Sequence, residues 1–109
     1  MSVANVTMFE FENQDSIDQF ATWYKGHGSY PENEVSLFVK TGDRTAMGIS
    51  VYPTEEARSR ADILREESAD TSLKKIVKEI VPLSGEVLVH FLNGKLVNWR
   101  YPRYLNLHG

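Results

Sequence analysis

Apolar and polar positions alternate with a period of two from Val6 to Glu12, where Thr7, Phe9 and Phe11 interleave with Val6 and Met8. That period predicts a first β-strand whose two faces are both at least partly covered. Ile17, Phe20, Ala21 and Tyr24 then recur at i, i+3, i+4 and i+7, the stripe of an amphipathic helix. Asp15 or Ser16 supplies a capping oxygen, Asp18 suits the positive end of the helix, and Gly26 ends it. The loop Gly26-His27-Gly28-Ser29-Tyr30-Pro31 carries two glycines free to take positive φ and a proline without an amide donor.

Val35, Leu37 and Val39 restore the two-residue period, Thr41-Gly42-Asp43 turns the chain, and Met47, Ile49 and Val51 resume it. These positions predict an antiparallel hairpin. Pro53 stops its second strand, and Thr54 caps a helix opened by Glu55 and Glu56, with Ala57, Ala61 and Leu64 facing inward. Glu56 and Arg60 are spaced as an i,i+4 ion pair. A break near Ser68-Ala69-Asp70 leads to an expected second helical stretch with Leu73, Ile76, Val77 and Ile80 on one stripe, ended by Pro82 and Gly85. A further strand is expected through Val87, Val89 and Phe91. Asn93-Gly94 predicts a type I′ turn, because both central residues of that turn need positive φ. Lys95 to Arg100 then pairs back, setting His90 opposite Val97 and Leu88 opposite Trp99.

The resulting order, β-α-β-β-α-β, is that of a ferredoxin-like α+β fold: an antiparallel sheet with helices on one face, here with an extra C-terminal hairpin strand. The 109 residues, 41% of them hydrophobic, suit a single domain over 1–109, with its core at about 6–92 and a C-terminal strand and tail over 95–109. Both alternation sets are apolar. Val35, Leu37, Val39, Met47, Ile49, Val51, Val87, Val89 and Phe91 form one, and Phe9, Phe11, Phe38, Tyr52, Leu88 and Leu92 the other. Helices cover only one face of such a sheet, so the other is expected to be covered by a second copy, giving a homodimer.

Charge and composition narrow the partners. The net charge is −3, with 12 Lys and Arg scattered among 15 acids instead of forming a basic stripe, so nucleic acid is not expected as a partner. The absence of cysteine removes disulfides, zinc-thiolate sites and thiol nucleophiles. No segment reads as a signal peptide or a membrane-spanning helix, which points to a cytoplasmic protein without membrane contact. The histidines at 27, 90 and 108 lack the close companions of a local metal site, so no metal and no cofactor is expected.

The strand bearing Phe9 and Phe11, the helix bearing Phe20, Trp23 and Tyr24, and the run Val51-Tyr52-Pro53 before Thr54-Glu55-Glu56-Ala57 resemble the dimeric α+β barrel superfamily. The resemblance is one of element pattern over most of 6–92. Two ferredoxin-like subunits of that superfamily pack sheet to sheet. Its members include antibiotic-biosynthesis monooxygenases, muconolactone isomerase-like proteins, haem-degrading enzymes and stress-responsive barrels. The resemblance implies a pocket for an apolar small molecule between sheet and helices or within the barrel, and a C-terminal strand able to reach the neighbouring subunit. The Asn, Trp and His of the haem-degrading members have no equivalent spacing here, so that activity is not carried over.

The candidate chemistry follows. His27, between two glycines, is able to act as acid, base or donor at a pocket mouth, or to stand as a solvated loop residue. His90, on a strand among leucines, needs a partner if buried, whether a ligand oxygen or a protein group such as Ser50. Those two are the candidate catalytic residues. Phe20, Trp23, Tyr24, Tyr30, Ser50, Tyr52 and Trp99 are the candidate ligand-binding residues, several of them joining an apolar body to a polar tip; core or interface packing is the competing explanation. Ala46, Gly48 and Ser50 are small and share a face with Tyr52, leaving volume for a neighbour to fill. Three functions follow: binding of a lipid-like acid or polycyclic metabolite, cofactor-independent monooxygenation or isomerisation of such a molecule, or a structural or stress-related dimer without ligand.

Overall fold

The computed structural model describes residues 2–67 and 75–97. A first strand, β1 (Val3–Phe11), begins earlier than the period at Val6 suggests, because Val3 and Asn5 continue the alternation and are both buried. Helix α1 (Gln14–His27) follows. Its cap is Asn13, not Asp15 or Ser16: the Asn13 side-chain oxygen accepts the Ser16 amide hydrogen at 2.9 Å. The helix runs past Gly26 and ends at Gly28, where φ of 82° suits a residue without a Cβ and its N–H donates to the Tyr24 carbonyl at 2.9 Å.

Strands β2 (Val35–Lys40) and β3 (Thr45–Tyr52) form the expected hairpin, with Leu37 opposite Ile49 and Phe38 opposite Gly48. Thr54 caps α2 (Glu55–Glu67) as expected, accepting the Ala57 amide hydrogen at 3.0 Å. The anticipated Glu56–Arg60 pair is replaced by a longer-range one. Arg60 donates from Nε and Nη2 to the two Glu32 oxygens at 2.8 and 2.7 Å, fastening the 30–33 turn to α2.

The chain departs most from expectation after α2. Val77 and Ile80, assigned above to a helix, lie in a ten-residue strand, β4 (Val77–Glu86), antiparallel to β1; Leu73 lies outside the described residues. The run Ile76-Val77-Lys78-Glu79-Ile80-Val81 fits both periods, and the open ladder of β1 decides between them. Pro82 does not end the element. β4 is an edge strand, and a proline is tolerated where a ladder donor is not required. The expected strand through Val87, Val89 and Phe91 is correspondingly cut down to its end at Phe91–Leu92: beyond the Val87 N–H, which donates to the Ser2 carbonyl at 2.9 Å, residues 87–90 belong to no strand.

The Asn93-Gly94 turn forms as expected, with φ of 53° and 77°. It joins β5 (Phe91–Leu92) to β6 (Lys95–Leu96), and the Val97 N–H donates to the His90 carbonyl at 2.6 Å, so His90 does face Val97. Trp99, the expected partner of Leu88, lies outside the described residues. This hairpin forms its own two-stranded sheet instead of extending the main one.

The main sheet has the antiparallel order β2-β3-β1-β4, the order of a ferredoxin-like α+β fold. Register assigns its faces, because directly opposed residues point the same way. Phe9, Phe11, Phe38, Ala46 and Tyr52 face the helices. Under α1, Phe11, Ile17 and Ala46 make a buried cluster joined by Phe9, Phe20, Phe38 and Val77. Under α2, Tyr52, Ala57 and Ala61 make a second, joined by Tyr30. The opposite face carries Val6, Met8, Val35, Leu37, Val39, Met47, Ile49, Val51, Val81 and Leu83, with Leu37 half exposed at 50% and Leu83 at 53%.

Candidate functional site

One cross-sheet row on the helix face is polar in every strand. Ser36 of β2 opposes Ser50 of β3, Ser50 opposes Asn5 of β1, and Asn5 opposes Ser84 of β4. The row divides the apolar cluster under α1 from the one under α2. Small polar side chains at the centre of a sheet's covered face cost burial energy unless they are paired, so this row must find partners.

Ser36 and Asn5 find them on the two helices, while Ser84, on the edge strand, is exposed. From α1, the Tyr24 hydroxyl makes a short hydrogen bond with the Ser36 hydroxyl. From α2, Asp62 accepts from the Asn5 amide at 3.2 Å, from Arg58 at 2.5 Å and from Arg65 at 2.6 Å, while Arg58 also pairs with Glu55. Beside the Tyr24–Ser36 pair, a hollow of ≈ 350 Å³ is lined by Ala21, Tyr24, Lys25, Gly28, Ser29, Ser36 and Phe38. A second hollow of ≈ 440 Å³ lies at the start of α2, where Glu55, Glu56 and Glu86 make its walls acidic.

The sequence-predicted residues divide between packing and this site. Phe20 is a core ring, with centroids 5.2 Å from Phe9, 5.6 Å from Phe11 and 5.0 Å from Phe38. Gly48 leaves no free volume, since a Cβ there would meet the Phe9 ring at 3.3 Å; packing therefore accounts for Ala46 and Gly48, whereas Ser50 belongs to the polar row. Trp23, His27 and Tyr30 come together at the end of α1. The exposed His27 ring lies 4.9 Å from Trp23 and 5.2 Å from Tyr30, and its Nδ1 is 3.0 Å from the Gly28 carbonyl oxygen. Arg65 of α2 stands over the Tyr30 ring at 5.4 Å. The structure does not bring His90 to His27: it precedes the C-terminal hairpin, on the segment that leaves β4, the sheet edge opposite β2. Trp99 lies outside the described residues.

Tyr52 is fully buried. Burial pushes its phenol above the ordinary value of 10.0; the Arg65 charge opposes the shift, and Asn33 and Ser50 approach closely without reaching hydrogen-bond geometry. A raised phenol pKa means that the folded state holds the proton more tightly than the unfolded one. This contribution to stability is complete below about pH 10 and is lost as pH rises through the folded value. Urea midpoints of wild type are accordingly expected to fall more steeply above about pH 10 than those of Tyr52→Phe; parallel profiles for the two would contradict that assignment.

Sequence reasoning missed Asn33, Asn5, Arg58, Asp62 and Arg65. Asn5 is the most accessible of them, as the one amide within the alternation of β1. Asp62 and Arg65 look like solvated helix charges until α2 is laid over the sheet. Among the described residues, no group of three or more His, Asp or Glu is arranged to hold a metal ion, and no helix is long and apolar enough to cross a membrane.

An antiparallel four-stranded sheet with both helices on one face, a polar row between them and an apolar face behind defines the class of domain: a ferredoxin-like α+β fold, as the element order in the sequence implied. No protein-family model and no curated protein matches the chain. Solved structures do. A dimeric ferredoxin-like protein from an uncultured marine organism aligns with a TM-score of 0.70 at 17% identity, over 84% of this chain and 92% of that one. A protein of unknown function from Nitrosomonas europaea aligns with a TM-score of 0.66 at 13% identity, over 84% and 93%. SnoaB, a cofactor-independent oxygenase from Streptomyces nogalater, aligns in a mutant form with a TM-score of 0.62 at 16% identity, over 84% and 97%. At these identities the likeness is one of fold.

Proposed function

We propose that the protein is a homodimer that binds an apolar or amphipathic small molecule between the α1–β2 side of the sheet and its helices. The observation that carries this reading is the hollow of ≈ 350 Å³ whose wall joins Phe38 and Ala21 to the Tyr24 and Ser36 hydroxyls. An apolar wall with a few convergent polar groups is the usual composition of a small-molecule site. The homodimer rests on the opposite face. Burying each large side chain there is worth about 1.5–3 kcal/mol, and a second copy is the surface with the same shape and chemistry to cover it. The hairpin adds to this need, because Leu88, Val89, Phe91 and Leu92 are all exposed. The dimeric marine ferredoxin-like protein supports the same assembly.

Native mass spectrometry of the purified protein tests both parts. The expected spectrum is that of a dimer, with added mass from a co-purified organic molecule or from a soaked hydrophobic probe. A monomer that takes up neither sinks the proposal.

The likeness to SnoaB favours a second reading, cofactor-independent oxygenation of the bound molecule by dioxygen, with His27 as proton carrier beside Trp23 and Tyr30. Oxygen uptake with electron-rich polycyclic phenols would then be lost in His27→Gln. Uptake that is nil in wild type, or unchanged in the variant, removes this reading and leaves the binding one.

A further inference from the structure

The buried polar groups beside Tyr30 indicate which end of the small molecule the protein recognises. The Tyr52 hydroxyl is fully enclosed, and among the described residues it has no hydrogen-bonding partner; nor does either polar atom of the Asn33 side-chain amide. Native interiors seldom leave such groups unpaired. Pairing the phenol with the amide or with the nearby Ser50 hydroxyl would still leave at least one end of the Asn33 amide orphaned. The two side chains together therefore call for a further polar atom.

The neighbouring charge indicates its sign. Tyr30 packs on Tyr52, and the Arg65 guanidinium stands 5.4 Å over the Tyr30 ring. Arg65 commits one nitrogen to Asp62 at 2.6 Å, and its remaining N–H groups have no other acceptor among the described residues. Asp62 is itself held by Asn5 and Arg58, so the guanidinium is anchored from below. At the acidic hollow Glu56 and Glu86 form no ion pair with an arginine among the described residues and would repel an anion, whereas the carboxylates near Tyr52, Glu32 and Asp62, are each paired with arginine.

We propose that Tyr52, Asn33 and Arg65 form a subsite for the carboxylate of an amphipathic acid, whose apolar body extends toward Tyr24 and Phe38. This inference rests on the small-molecule-binding reading above and narrows its ligand to an acid. The turn over the subsite is held by the Glu32–Arg60 ion pair, with Glu32 at a φ of 68°, a conformation costly for a residue with a Cβ. Both partners of that pair are exposed, so the strap is weak and the turn lifts to admit the acid. Asp62 is a positioning residue, acting through Arg65.

Isothermal titration calorimetry with octanoate and with octanol separates head-group from chain recognition. Wild type is expected to bind octanoate more tightly than octanol. Arg65→Gln is expected to weaken octanoate about tenfold while leaving octanol unchanged, the loss typical of a charge-assisted bond. Tyr52→Phe is expected to act in the same direction, and because Arg65 lies at the surface, Arg65→Gln reports even if the buried substitution unfolds the protein. Equal affinity of wild type for the two probes, or octanoate binding indifferent to Arg65→Gln, overturns the carboxylate subsite and leaves the binding reading standing. Failure of wild type to bind either probe overturns both.

Discussion

Ile49→Arg is expected to turn the proposed dimer into folded monomers. Ile49 sits in the row Leu37, Ile49, Val6 and Leu83, which crosses all four strands of the face away from the helices. In a single protomer this face meets water, so an arginine there extends into solvent and leaves the core beneath α1 intact. In a sheet-to-sheet dimer the same side chain enters an apolar interface without a partner, and a two-fold axis introduces it twice. An uncompensated buried charge costs about 3–5 kcal/mol, which weakens association by at least about a hundredfold. Sedimentation velocity across a concentration series measures the loss, and circular dichroism checks that the monomer keeps its fold. Ile49→Val, which retains an apolar surface, is expected to stay dimeric. If Ile49→Arg dimerises as wild type does, the open face is not the interface.

Phe11→Ala is expected to be the most damaging single truncation in the described core. Phe11 is 1% exposed, and its ring lies 5.8 Å from Phe9, 5.6 Å from Phe20 and 6.3 Å from Phe38, centroid to centroid. Its backbone is held on both sides, since the Phe11 N–H donates to the Arg44 carbonyl at 2.7 Å and the Glu12 N–H to the Ile76 carbonyl at 3.2 Å, which limits collapse into the space left behind. Removing a buried phenylalanine costs about 3–5 kcal/mol through lost transfer energy and the residual cavity. A domain of this size has only about 5–15 kcal/mol in total. The urea midpoint is therefore expected to drop by more than about 1 M. Wild type and variant must be compared at one protein concentration, because association adds to apparent stability. A loss below about 1 kcal/mol would show that the aromatic cluster reforms around the gap.

Several parts of this structure are legible in the chain because their causes are local. The β2–β3 hairpin follows from a two-residue period on either side of turn residues, and the Asn93-Gly94 turn from the need for positive φ at both central positions. Thr54 announces α2 by the same chemistry that satisfies the Ala57 amide. The stretch Val77 to Phe91 misleads because its apolar residues fit either period. Only the vacant ladder of β1 selects a strand at Val77–Glu86 and leaves 87–90 outside the sheet. Arg60 misleads for a related reason: Glu56 is near in sequence, whereas Glu32, 28 residues away, is near in space and offers both carboxylate oxygens.

Among the described residues, Phe20, Trp23, Tyr24 and Tyr30 lie near one another along α1 and the loop after it, but their roles depend on depth. Phe20 fills the core, whereas Trp23, His27 and Tyr30 form the rim. His90 follows β4 away from that rim, and no spacing argument separates it from His27.

The sequence by itself determined the alternation, the Thr54 cap and the hairpin turns, and the excess of apolar side chains for one sheet, because each arises from residues a few positions apart. Tertiary structure decided the partner of β1, the alignment of Ser36, Ser50, Asn5 and Ser84 into one row, and the meeting of Tyr52, Asn33 and Arg65. Those depend on strand register and on the seat of α2, which are set by the packing of distant segments.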